Sequence, residues 1–69
     1  MTLRKLKNKI GRKIKSLRLE KGISQEKLAE CVNMSREHIS CIERAKNLAT
    51  LETLYNMSKY FNIDIKEFF

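Results

Sequence analysis

The chain has 69 residues, with 15 Lys or Arg against 8 Asp or Glu, a formal net charge of +7, two Cys, two Gly and no Pro. A chain of this length predicts one small domain that buries only about 60% of its unfolded surface, so its stability is marginal and a bound partner adds to it. No apolar run approaches the roughly 20 residues a bilayer crossing needs, and the charged N-terminus lacks the apolar stretch of a signal peptide, which predicts a cytoplasmic protein whose two Cys stay reduced.

The first third carries most of the charge. Residues 1–21 hold nine basic side chains (Arg4, Lys5, Lys7, Lys9, Arg12, Lys13, Lys15, Arg18, Lys21) and one Glu, a balance of +8, whereas residues 22–69 balance at −1. Leu3, Leu6, Ile10, Ile14 and Leu17 recur at intervals of three or four, the spacing of one helix face. A helix is expected over Asn8 to Lys21, ended by Gly22 in the left-handed conformation, with residues 1–7 either extending it or fraying. Gly11 interrupts the stripe at a cost of about 1 kcal/mol relative to Ala. The positive run reads as a phosphate-attracting surface, as a solvated helix face, or as a membrane-surface helix.

The next twenty residues, Gln25 to Arg44, have the pattern of a helix-turn-helix. Ser24 is placed to cap a helix, Glu26 suits the positive end of its dipole, and Ile23 and Leu28 form a hydrophobic staple. Ala29 is small enough for a close helix crossing, Val32 closes the helix, and Asn33 tolerates the positive φ of a sharp turn. Met34 points inward and Ser35 caps a second helix whose inner face carries Ile39 and Ile42. Ser40, Arg44, Glu37 and Cys41 then point outward with Arg36 beside them, at about 100° per residue. Such groups suit a major groove: Arg forks to guanine, Glu accepts from cytosine N4, Ser pairs with several bases.

In the last third, Thr50 is a cap for a helix bearing Leu51, Leu54, Met57, Ser58 and Phe61 on one face. Asp64 and Glu67 read as a capping box, stapled by Ile63 and Phe68, so a short final helix is expected near Ile65. Tyr55, Tyr60, Phe68 and Phe69 either cover the core or form a two-fold contact. No nucleophile, base or paired carboxylate is suggested by spacing, so no enzyme is expected. Cys31, His38 and Cys41 lack the tight pairs and fourth ligand of a zinc site, so neither metal nor cofactor is expected. Cys31 reads as a small packing residue, and Cys41 as a candidate for redox sensing.

Three segments, IGRKIKSLRLEKGISQEKLAE, MSREHISCIER and LETLYNMSKYFNIDIKEFF, in this order and spacing, resemble the Cro and phage-repressor (Xre-type) helix-turn-helix family over residues 10–69. The resemblance implies an all-α, compact five-helix lambda-repressor-like domain, and the length makes residues 1–69 a single such domain with 1–7 as its basic extension and the helix-turn-helix at 25–44. It implies base contacts from Arg36, Glu37, Ser40 and Cys41, phosphate contacts from Gln25, Ser35, Arg44, Lys46 and Asn47, and a structural salt bridge between Arg18 and Glu43. Ala45 stands where the family usually has Gly, which predicts a recognition helix that ends differently or runs on by a residue. Ala49 replaces a common Pro, and Cys41 a common polar or basic residue. The function expected is that of a homodimeric repressor or controller on a palindromic DNA operator, with half-sites about 34 Å apart. The alternative is an antitoxin-type module that holds a protein partner and also binds its own operator.

Overall fold

A computed structural model describes all 69 residues as four helices and a closing 3₁₀ turn: α1 (Leu3–Lys21), α2 (Gln25–Cys31), α3 (Arg36–Glu43), α4 (Leu51–Phe61) and the turn Ile65–Phe68. The all-α expectation is met, with the fifth helix reduced to four residues. No helix is long and apolar enough to cross a membrane.

Each helix starts where a short polar side chain can satisfy a free amide. Thr2, Ser24, Ser35 and Thr50 accept the N–H of Lys5, Lys27, His38 and Thr53 at 3.2, 3.0, 3.1 and 3.1 Å, and each such cap stabilises its helix by about 1 kcal/mol. Thr2 is why α1 begins at Leu3 and not at Asn8: the first residues extend the helix instead of fraying. Each helix also ends alike, with one residue in the left-handed region: Gly22 (φ 70°), Asn33 (φ 57°), Ala45 (φ 62°) and Asn62 (φ 57°). After α3, Ala45 donates to Ile42 O at 3.0 Å and Lys46 to Cys41 O at 2.9 Å, the paired bonds of a Schellman motif. Ala45 therefore takes the glycine conformation without being glycine, and α3 neither ends differently nor runs on. The Cβ contact this forces costs about 1 to 2 kcal/mol.

Gly11 has a structural use that its helix propensity conceals. A Cβ there would lie 2.5 Å from the Ile42 carbonyl oxygen and 3.0 Å from that of Glu43. The missing side chain lets the backbone of α1 touch the last turn of α3.

The core unites Ile10 and Ile14 of α1, Leu28, Ala29 and Val32, Ile39 and Ile42 of α3, Ala49, Leu54 and Met57, and Phe68. Three expectations change here. Leu51, placed by periodicity on the inner face of α4, is 68% exposed; it sits in the first turn, ahead of where α4 meets its neighbours, and Ala49 fills that edge of the core. Cys31 is exposed, since α2 buries Leu28 and Ala29 and turns Cys31 away from them. The capping box of the last turn does not form. Asp64 Oδ1 accepts from Lys66 N–H at 3.0 Å, while the Glu67 carboxylate turns to Lys13 Nζ at 3.6 Å.

Candidate nucleic-acid interface

The α2–α3 pair presents one outward surface. Burial of Ile39 and Ile42 fixes the rotation of α3 about its axis, so Arg36, Glu37, His38 and Arg44 are exposed while Ser40 and Cys41 are half-buried. Arg36 and Glu37 are in neither of the chain's two ion pairs, which join Lys13 to Glu67 and Arg18 to Glu43. Their charges are therefore free for an outside partner. Ser35 uses a lone pair to cap His38 N–H, which leaves its O–H proton available as a donor. Lys46 and Asn47 are exposed on the loop after α3.

Two residues expected to meet phosphate are otherwise engaged. Arg44 folds back over its own helix end, with Nε 3.4 Å from Ser40 O and a terminal nitrogen 4.0 Å from Cys41 Sγ; it complements the helix dipole there and must swing out to reach a phosphate. Gln25 donates its amide Nε2 to Glu43 Oε1 at 3.1 Å. The second N–H of that amide makes no bond within the chain and stays available to a phosphate.

Glu43 is the hub of a polar cluster beneath the surface. Arg18 Nε donates to Glu43 Oε2 at 2.8 Å and Arg18 Nη2 to Oε1 at 3.1 Å, while Nη1 donates to Ile23 O at 2.9 Å. The side chains are 11% and 2% exposed. The hydrogen bond to Glu43 raises the Arg18 guanidinium above its ordinary range, against a desolvation that lowers it. No buried side-chain polar atom lacks a partner. Since α1, α2 and α3 each contribute one member, the cluster fixes the angle at which α3 is offered to the outside.

The aromatic residues divide. Phe68, a candidate for a two-fold contact, is fully buried in the core, because the 3₁₀ turn directs it inward between α1 and α4. Tyr60 is engaged within its own protomer: Phe61 lies edge-on at 5.1 Å and Lys21 Nζ sits 5.1 Å from the ring centre, while the neighbouring Cys31 thiol raises the phenol pKa above its usual value. Tyr55 and Phe69 remain about half exposed. Phe69 joins Leu6, Leu48, Leu51 and Leu54 around an open apolar groove of about 190 Å³. Sequence reasoning did not single out Leu48 and Leu51 as surface residues; the available signal was the i, i+4 pairing of Leu51 with Tyr55, which draws Leu51 toward the edge of the α4 stripe.

The helix-turn-helix family model matches residues 14–68, from the middle of α1 to the last turn. This chain belongs to the helix-turn-helix family of the Cro and phage-repressor type. The family is one of transcriptional regulators with a DNA-binding helix-turn-helix, not of enzymes. An uncharacterised HTH-type transcriptional regulator of Rickettsia conorii is 33% identical over 67 residues, 97% of this chain and 54% of the relative; the chain spans about half the length of such curated relatives. The restriction-modification controller protein C.AhdI from Aeromonas hydrophila is similar in fold, with a TM-score of 0.84 and 28% identity over 91% of this chain and 96% of that one. A point mutant of the restriction-modification controller protein C.Esp1396I gives a TM-score of 0.79 and 38% identity, over 91% and 82% of the two chains.

Proposed function

We propose that this regulator binds double-stranded DNA sequence-specifically as a homodimer, in the cytoplasm, and represses or controls a gene by occupying a palindromic operator. The observation that carries the reading is the outer face of α3, where Arg36 and Glu37 stand exposed and free of ion pairs while Glu43, one residue from Arg44, is locked inside. Arg36 is suited to fork onto guanine and Glu37 to accept from cytosine N4, with Ser40 and Cys41 nearer the groove wall. Lys46, Asn47, Ser35 and a released Arg44 would hold the backbone, and Gln25 would act chiefly by bracing Glu43. The likeness to two restriction-modification controllers supports a control function at an operator.

The groove lined by Leu6, Leu48, Leu51 and Phe69, with Tyr55 nearby, is the surface we assign to the two-fold contact. It offers large apolar side chains that the protomer leaves exposed, and a two-fold contact there would have to place a second α3 to enter the next major groove, about 34 Å away.

Selection of duplexes from a random pool by the purified protein tests this. Enrichment of a palindrome with half-sites one helical turn apart is the expected result, and recovery of unrelated sequences would refute specific reading.

A further inference from the structure

The outer side of α1 carries charge that the recognition helix does not use and that the fold uses only through Lys13, paired with Glu67. Taking Ile10 as zero at about 100° per residue, Gly11 and Arg18, where α3 packs, lie near 100° and 80°. Lys5, Lys9, Arg12 and Lys13 lie between about 200° and 300°, roughly 150° round the helix from that contact and on the side that leans on the last turn. With Asn8 they line an open concavity of about 530 Å³ that has no apolar side chain in its wall. Glu67 closes it and pairs with Lys13 alone, at 3.6 Å.

This arrangement works against the helix that carries it. Lys5, Lys9 and Lys13 repeat at i, i+4, where like charges repel, and the first turn of α1 has no acidic residue to offset cations near the positive end of its dipole. All four residues also precede residue 14, where the helix-turn-helix model begins. A charged feature that opposes local stability calls for a ligand.

We propose that this stripe is a second polyanion site, which takes the phosphate backbone of a second stretch of duplex while α3 holds the operator, so that one regulator bridges two DNA segments. The inference rests on the DNA-reading function proposed for α3. Four cations along about 12 Å of helix, one per about 4 Å, come close to the spacing of phosphates along one strand of a duplex, about 3.4 Å of its axis. The position, turned away from the α1–α3 contact, keeps the stripe off the operator that α3 reads. A lipid surface fits less well, because the apolar face of α1 is already closed into the core through Ile10 and Ile14.

The test uses the full chain. Beads bearing the duplex selected by the protein are saturated with it, washed, and offered a labelled random-sequence duplex. The wild type should retain the second duplex, and the Lys5→Gln, Lys9→Gln, Arg12→Gln, Lys13→Gln variant should retain about tenfold less at equal operator occupancy. A variant with the same charge removed from the other sides of α1 (Arg4, Lys7, Lys15 and Lys21, each to Gln) should retain it within about twofold, and far-UV circular dichroism should show both variants helical. Operator binding without capture of a second duplex by the wild type overturns the stripe alone, as does equal loss in both variants or capture of phosphatidylserine vesicles in place of duplex. Failure to bind any selected duplex overturns the reading of α3 as well.

Discussion

The outer faces of α1 and α3 both meet solvent, yet they are built on opposite plans. That of α1 is cationic along its first half, where Lys5, Lys9, Arg12 and Lys13 repeat with the helix turn, whereas that of α3 sets Arg36 beside Glu37, with His38, Ser40, a thiol and Arg44 around them. A cationic row attracts any polyanion and distinguishes little, since phosphates are the same at every base pair. A near-neutral row attracts weakly but penalises a wrong base, because Glu37 repels a backbone it does not match. Separating attraction from selection lets each be altered without the other.

The strongest way to break this division is to destroy the device that aims α3. Glu43→Ala strands the Arg18 guanidinium beneath the surface and should cost about 3 to 5 kcal/mol, read as a fall in the urea midpoint or thermal midpoint. Unchanged stability would mean that the cluster does not hold α3. Next in size, Gly11→Ala should destabilise by about 1 to 3 kcal/mol through the contact with the Ile42 carbonyl, although Ala is the better helix former.

Arg36→Ala should then cost about 1 to 3 kcal/mol at the selected duplex and almost nothing on random DNA, measured by fluorescence anisotropy, whereas Arg44→Ala should weaken all sequences alike and shallow the salt slope by about one contact. Equal weakening of both duplexes by the Arg36 change would move the selective contact elsewhere. Leu51→Ser sharpens the comparison from a different side: sedimentation should show a weaker dimer while the protomer fold stays intact, because Leu51 is exposed. Ala45→Gly, the smallest change, should raise stability by about 1 kcal/mol by relieving the left-handed alanine, with operator preference unaltered.

Much of the fold was legible because helix starts and stops are local events. Ser24, Ser35 and Thr50 cap the helices they were expected to cap, and Gly22 and Asn33 turn the chain where a positive φ was foreseen. The outward set of α3 was legible for a related reason: Ile39 and Ile42 define its inner face, and helix geometry places the rest. Periodicity failed at the edges of elements. Leu51 fits the stripe of α4 yet stays exposed at the rim of a groove, and Phe68, which could equally have covered the core or formed a two-fold contact, is carried into the core by the 3₁₀ turn.

By itself, the sequence determined where each helix begins and ends, which face of α3 looks outward, and the gathering of charge on α1, since these depend on residues within a turn or two of one another. Only the tertiary structure decided that Gly11 is a docking point rather than a flaw, that Gln25 and Arg44 are tied to protein groups, that Tyr60 belongs to its own protomer, and that Leu48 and Leu51 stay uncovered. The physical reason is the same in each case: what a side chain touches is set by the element lying across from it, and that element is distant in the chain.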